Sequence, residues 1–224
     1  MVNPEVTPVT EDYLTLIWKA CEWPDDGRRP RTSDLAAALG VTLSTVSANL
    51  KRLAREELIR YEPYGAIELT EEGERIAVEV VRRHRVIETF LVEHLSIPWD
   101  EVHEEADLLE HAASDRIIDR MDAILGYPDV DPHGDPIPRT GARTRVSAVV
   151  LSACARGTVA RVARVSDANP DILRFLSARG IGLGAELKVE RAMSTTGLMR
   201  VTHDGEAIEL SDPIAAAIHV SLDH

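Results

Sequence analysis

Aromatic residues are scarce, 4% of 224 positions, too few to build the stacking platforms that hold single-stranded nucleic acid. Cysteine is scarcer. Cys21 and Cys154 are the two present, far apart and not in a metal-binding pair. That excludes a disulfide scaffold and a zinc finger, and fits a reducing cytoplasm. No apolar run approaches the ~20 residues that a bilayer span requires, so no membrane partner is expected. The opening MVNPEVTPVTEDY lacks the basic flank and apolar core of a signal peptide. Positive charge is short as well: 25 Lys and Arg stand against 38 Asp and Glu, a net −13. What remains is an ordinary globular mixture, 44% hydrophobic and 28% charged, long enough for two or three small domains.

The acidity is unevenly spread. Residues 1–70 hold 8 basic and 11 acidic groups, residues 71–141 hold 7 and 18, and residues 142–224 hold 10 and 9. Within residues 28–60 the balance reverses, with 7 basic groups against 3 acidic. A locally basic segment therefore precedes a strongly acidic one, which is either a solvated surface or a place to hold cations.

Periodicity gives the elements. Thr10 is placed to cap a helix through EDYLTLIWKACE, whose apolar side is Tyr13, Leu14, Ile17, Trp18 and Cys21. After the turn-rich WPDDGRRP, a short helix opens at Thr32 or Ser33 and closes at Gly40. LSTVSANLKRLAREEL follows as a second helix with Val46, Leu50, Leu53 and Leu58 inside. IRYEPYGAIELT alternates around a Pro-x-Gly turn as a hairpin. A long helix covers Glu71 to about Leu95, and another roughly Asp100 to Leu125, striped by Val102, Ala106, Leu109, Ala113, Ile117, Met121 and Ile124. Two long amphipathic helices without a third partner suggest a dimer interface. GYPDVDPHGDPIPRTGAR reads as a linker. TVARVARV, GAELKVERAM and LMRVTHDGEAIEL read as strands, with a hairpin turn at Asp204-Gly205 and a short helix DILRFLSARG among them. The expectation is a mainly α chain with a small β part: a winged helix-turn-helix over 1–72, a helical dimerisation and metal-binding domain with its Pro-rich linker over 73–141, and an SH3-like (FeoA-like) barrel over 142–224.

Several constellations have chemical meaning. A groove-reading helix needs short polar residues near its start and cations further along. Thr42, Ser44, Thr45, Ser47 and Asn49 come first here, then Lys51, Arg52 and Arg55. In HEEADLLEH, Asp107, Glu110 and His111 stand at i, i+3 and i+4 and share a helix face with His103. Two carboxylates and an imidazole converging this way suit a divalent cation, although pairing with Arg116 or Arg120 would explain them too. His84 and Glu88, four apart in HRVIE, are either a core histidine with its neighbour or part of a shared metal site. Asp12, taken alone, is accounted for by the helix dipole. Asp131 and His133 in DPHG are accounted for by turn composition.

Together and in this order, TEDYLTLIW, the winged helix, VRRHRVIETFL, EVHEEADLLEHAASDRIIDRM and DPHGDPIP resemble the diphtheria toxin repressor family of metal-dependent regulators, and its manganese transport regulator branch most closely. The resemblance implies a primary metal site at Asp12, Asp107, Glu110 and His111. It implies an ancillary site at His84, Glu88 and His103. The loop that reads Cys-Pro-His-Gly in some members has Asp131 for the cysteine here, ahead of His133. Some members add a C-terminal ligand, for which Asp171 is preferred and Asp167 is the alternative. Iron-type members have Met and Cys where this chain has Asp12 and Asp107. Short manganese-type members place a Glu where this chain has Thr15. The expectation is a cytoplasmic homodimer that binds a palindromic double-stranded operator when activated by Mn²⁺, two or more ions per protomer, with Fe²⁺ or Co²⁺ as other candidate ions. The alternatives are an iron-dependent repressor on the same frame and, from another class, a metal-dependent hydrolase. For the hydrolase no Gly-rich loop, nucleophile elbow or zincin motif is present.

Overall fold

The structure is a computed structural model that describes residues 6–22, 30–62, 65–139 and 148–222. Those residues fall into two compact units, one ending at Arg83 and the other beginning at His84.

The first unit contains α1 (Pro8–Glu22), α2 (Thr32–Leu39), α3 (Leu43–Arg55), β1 (Ile59–Tyr61), β2 (Ile67–Leu69) and the start of α4 (Glu71–Leu95). α1 begins earlier than Thr10. Pro8 fits the first turn, where no N–H is needed, and the Thr7 hydroxyl accepts from the Thr10 N–H at 3.3 Å. α2 ends on Gly40, whose φ of +64° a side chain would resist. The three residues from Gly40 to Thr42 then turn the chain into α3. The Thr42 side chain accepts from the Thr45 N–H and caps that helix. Val46, Leu50 and Leu53 of α3 are fully buried against Tyr13, Leu14, Ile17 and Leu35. Each contributes about 2 kcal/mol by leaving water. β1 and β2 pair antiparallel with Arg60 opposite Glu68. The helix, helix, turn, helix, hairpin order holds. The Pro-x-Gly turn of the hairpin lies partly outside the described residues, as does WPDDGRRP.

In the second unit, α4 continues and is joined by α5 (Val102–Glu110) and α6 (Asp115–Ile124). The single helix expected over 100–125 is thus two. Ser114 is extended, at φ −73° and ψ 153°, and starts α6 as an N-cap would, while the Leu109 carbonyl accepts from Ala112 and Ala113 to close α5. The break changes which residues face inward. Val102, Ala106 and Ile118 are buried with Val86, Ile87, Leu91 and Ile137, whereas Leu109, Ile117 and Ile124 of the expected stripe stay exposed.

The proline-rich stretch is not the loose linker its composition suggests. Asp131, His133, Asp135 and Ile137 are buried. Arg139 clamps the stretch to α6 with a two-pronged bond to buried Asp122 at 2.9 and 3.0 Å, and donates to the Pro128 carbonyl at 2.9 Å. Residues 140–147 lie outside the described residues.

The C-terminal region folds as one antiparallel sheet with order β3-β8-β4-β5-β6-β7. Its strands are β3 (Val149–Val150), β4 (Val159–Val165), β5 (Glu186–Arg191), β6 (Leu198–His203), β7 (Glu206–Ser211) and β8 (Ile218–Leu222), with α7 (Pro170–Ser177) and α8 (Asp212–Ala217) between them. Leu173, Leu176, Val162, Leu187, Val189, Met199, Val201 and Val220 form its core. β4 and β8 slip register between Val162 and Arg164. That bulge receives the DPHG loop: the Val165 N–H donates to the His133 carbonyl at 2.8 Å. Gly134, at φ +93°, approaches so closely that a Cβ there would lie 2.2 Å from the Ala163 carbonyl oxygen.

Candidate metal centre and DNA-binding face

In the second unit, α4 and α5 present their polar residues to one another across an otherwise apolar seam. His84 stands at the middle. Its Nδ1 lies 2.7 Å from Glu110 Oε2 and 3.3 Å from Asp107 Oδ1, and its Nε2 lies 3.0 Å from both Glu88 Oε1 and His103 Nδ1. His103 Nδ1 is also 3.1 Å from Glu88 Oε1 and 3.6 Å from Asp167 Oδ2, just beyond β4. His111 Nε2 is 3.3 Å from Glu110 Oε1. Three overlapping triads result: His84, Asp107 and Glu110; His84, Glu88 and His103; and Glu88, His133 and Asp167. His84 belongs to the first two and Glu88 to the last two. Asp12 sits on α1 in the first unit, half-buried.

These residues suit a divalent cation. Every donor is a carboxylate oxygen or an imidazole nitrogen. Ligands at right angles on an ion bonded at about 2.0–2.3 Å stand roughly 3 Å apart, the spacing around His84 and Glu88. His133 gives independent support. It is completely buried, its Nε2 lies 2.7 Å from the Trp99 carbonyl, and its Nδ1 has no hydrogen-bond partner. A carbonyl accepts only, so Nε2 donates to it, and Nδ1 faces Glu88 Oε2, 3.8 Å away. A buried ring nitrogen with no hydrogen-bond partner beside a carboxylate is stabilised by a proton or a cation placed between the two.

Electrostatics agree. Burial pushes the Glu88 carboxyl up, but His84, His103 and His133 outweigh it and hold Glu88 well below the ordinary carboxylate range. Hydrogen bonding to Glu88 raises the His103 imidazole against the opposing effect of burial. A cation that takes these ligands competes with protons for the same donor atoms.

Two expected ligands are placed elsewhere. Asp131 is occupied by its own loop: Oδ1 accepts from the N–H groups of His133 at 2.8 Å and Asp135 at 3.0 Å, while Oδ2 lies 3.5 Å from Arg85 Nε. Burial, then Asp135 and Glu88, push its carboxyl up to about 7, against Arg85 and His133. Asp171 is exposed in the first turn of α7 and is paired with Arg174. Asp167, four residues earlier, is the carboxylate that reaches His103, Glu88 and His133.

Sequence reading missed the groups that hold the loop in place. Arg85 donates to the Pro136 carbonyl at 2.6 Å, Asp135 accepts from Arg164 Nε at 2.7 Å, and the Trp99 indole donates to the Ser177 hydroxyl at 2.5 Å. A signal was there. Arginines flank His84 in an amphipathic helix, and a buried arginine demands carboxylates, which the acidic loop supplies.

The first unit presents α3 outward. Thr42, Ser44 and Thr45 are exposed, and their hydroxyls bond to one another at 2.8 and 2.9 Å. Lys51 and Arg55 are exposed, and Ser47 is half-buried. Asn49 and Arg52 are turned toward the unit itself. Asn49 donates to the Tyr13 hydroxyl at 3.3 Å and the Thr45 carbonyl at 3.1 Å, and Arg52 donates to the Thr10 hydroxyl and to Glu56, both at 3.1 Å. Their spacing on α3 matched a reading face, but the partners on α1 lay outside that pattern.

Three family models match successive parts of the chain. The iron dependent repressor N-terminal DNA binding domain matches residues 5–67, the iron dependent repressor metal binding and dimerisation domain matches 70–139, and the FeoA domain matches 149–222. The solved structure of a manganese-dependent transcriptional repressor in complex with manganese is 43% identical, with a TM-score of 0.88, covering 95% of this chain and 99% of that one. The diphtheria toxin repressor of Corynebacterium glutamicum is 26% identical over 227 residues, 96% of this chain and 97% of that protein. The iron-dependent repressor IdeR of Mycobacterium tuberculosis is 36% identical over 134 residues, 60% of this chain and 57% of that protein. These relatives are repressors, not enzymes, which removes the hydrolase alternative. Sharing 43% identity with one of them along nearly its whole length, this chain belongs to the diphtheria toxin repressor family of metal-dependent DNA-binding repressors, within its manganese-regulator-like branch.

Proposed function

We propose that this repressor is activated by Mn²⁺, binds two or more ions per protomer, and acts as a homodimer on a palindromic operator in the cytoplasm. The observation that carries the metal assignment is the donor set. Among the described residues every clustered ligand is oxygen or imidazole, and Cys154 is occupied in the C-terminal core. Hard donors suit Mn²⁺ and offer soft ions no sulfur. The manganese-bound relative supports the same reading. An iron-dependent relative keeps Fe²⁺ as the second reading, with Co²⁺ beside it.

The assignment gives Asp107, Glu110 and His111 to one ion, with Asp12 as the further ligand that the family resemblance implies. His84, Glu88 and His103 hold another, extended by His133 and by Asp167 in place of Asp171. A bound cation supplies positive charge to a cluster whose carboxylates otherwise repel one another. The coupling to DNA follows through Asp12, which shares a unit with α3. Moving a repressor from about 1% to about 99% competent takes roughly 5.5 kcal/mol of differential binding. Two ions that each prefer the competent state by about a hundredfold supply it. The homodimer assignment rests on Leu108, Leu109, Ile117 and Ile124, an exposed apolar face on α5 and α6 within the matched dimerisation domain. On α3, Lys51 meets phosphates, while Thr42, Ser44, Thr45 and Ser47 face the bases. The test is fluorescence anisotropy of a labelled duplex titrated with protein at fixed free Mn²⁺, Fe²⁺, Co²⁺, Zn²⁺ or Ca²⁺. Mn²⁺ is expected to activate at the lowest fraction of its binding saturation. Activation by Fe²⁺ alone would replace the manganese reading with the iron one.

A further inference from the structure

Beyond the polar residues expected to read bases, α3 exposes apolar ones. Leu43, in its first turn, is 57% exposed, and Val41 just before the cap is also exposed. Ala48 lies outward one turn on. A single exposed leucine needs no explanation, but this one has an unusual setting. Thr42, Ser44 and Thr45 on either side of it spend their hydroxyls on the cap and on each other. Asn49 and Arg52, the long polar side chains that could reach a base edge, are held by Tyr13, Thr10 and Glu56. Lys51 and Arg55 lie exposed further along the helix, placed for phosphates on either side of a groove. The start of α3 thus offers the major groove an apolar tip with cations behind it.

We propose that Leu43 is a specificity-determining residue that reads the 5-methyl group of thymine in the operator. In the major groove that methyl is the one apolar group that distinguishes a T·A pair, and it is recognised by apolar contact rather than by hydrogen bonding. The inference rests on the family's DNA binding and on α3 as the helix that enters the groove. Charge favours DNA over a protein as occupant: residues 28–60 form the basic segment of an otherwise acidic chain.

The experiment uses the full chain with saturating Mn²⁺ and a duplex selected by the wild-type protein from a random pool. Each thymine is replaced in turn by deoxyuridine, which removes the methyl and leaves every hydrogen bond. For the wild type, one or two positions per half-site should weaken by about fourfold, the effect of losing one buried methyl-sized group. Leu43→Ala should abolish the thymine preference at those positions and leave unchanged the salt slope of binding to random duplex, which the phosphate contacts of Lys51 and Arg55 set. Leu43→Met, which keeps an apolar side chain of similar reach, should retain the preference. A wild type indifferent to deoxyuridine everywhere, or a Leu43→Ala variant with the full preference, would overturn the inference while leaving metal-dependent DNA binding intact. Failure of the wild type to bind any duplex with any metal would overturn the DNA-binding reading itself.

Discussion

Removing the Arg139 side chain should destabilise the second unit by about 2–3 kcal/mol, through its bonds to Asp122 and the Pro128 carbonyl. Asp122 is fully buried and its carboxylate takes both prongs of the guanidinium. Arg139→Ala takes the two-pronged guanidinium away from that buried carboxylate, and also frees the Pro128 carbonyl. Breaking a buried pair from one side costs about 3–5 kcal/mol. Arg139 itself is 37% exposed, so water reaches the vacated place and discounts that cost to about 2–3 kcal/mol. For a chain of this size that corresponds to a melting shift of roughly 4–12 °C. Arg139→Lys should recover part of the loss, because it keeps the charge but not the fork. The Asp122→Ala, Arg139→Ala pair should be less destabilised than Arg139→Ala alone, since it also removes the buried carboxylate that the guanidinium served. The assay is urea unfolding followed by circular dichroism in excess chelator, so that bound metal cannot mask the change. An Arg139→Ala protein within about 0.5 kcal/mol of the wild type, the scatter of ordinary surface substitutions, would refute the reasoning and return residues 126–139 to the status of a linker.

Gly134→Ala is expected to cost roughly 2–4 kcal/mol, because φ is positive and the added methyl meets a backbone oxygen; a variant that melts with the wild type would show that the loop does not seat on β4. His133→Ala should lower the Mn²⁺ count per protomer by one in electron paramagnetic resonance titrations, and Asp167→Ala should weaken the same ion. Asp171→Ala should change neither, and a loss there instead would restore Asp171 as the ligand. Replacing Asp12 by Met and Asp107 by Cys together introduces soft donors, and should raise the response of operator affinity to Fe²⁺ or Co²⁺ relative to Mn²⁺; an unchanged ranking would place selectivity around His84, Glu88 and His103.

The winged helix was legible because its elements are local. Helical spacing through α1 and α3, Gly40 closing α2, Thr42 opening α3, and an alternating hairpin each depend on neighbours a few residues away. α4 was legible for the same reason, as an uninterrupted stripe from Glu71 to Leu95. The break between α5 and α6 was hidden because the apolar residues keep their period through it, so Leu109, Ile117 and Ile124 seemed to belong inside. The folded loop around His133 was hidden because its order depends on Arg85 and Arg164, 46 residues before and 29 residues after Asp131 and Asp135 respectively. β8 was missed although IHVSL alternates, because it is five residues long and follows directly on the apolar PIAAA of α8, which blurs where the period changes. In the cluster, the i to i+4 pairs on α4 and α5 were visible, whereas the convergence of Asp167 and His133 on Glu88 depends on tertiary structure.

The central claim is that occupancy of this oxygen-and-imidazole cluster switches DNA binding, and it is tested most directly by following both on one sample. Bound Mn²⁺ is counted by electron paramagnetic resonance while operator affinity is read by anisotropy. The account predicts that affinity stays near the random-duplex level until the ions fill, rises steeply with their occupancy, and falls back when chelator removes them. Operator affinity that is equally high in chelator, or that stays low when the counted ions are fully bound, would contradict it.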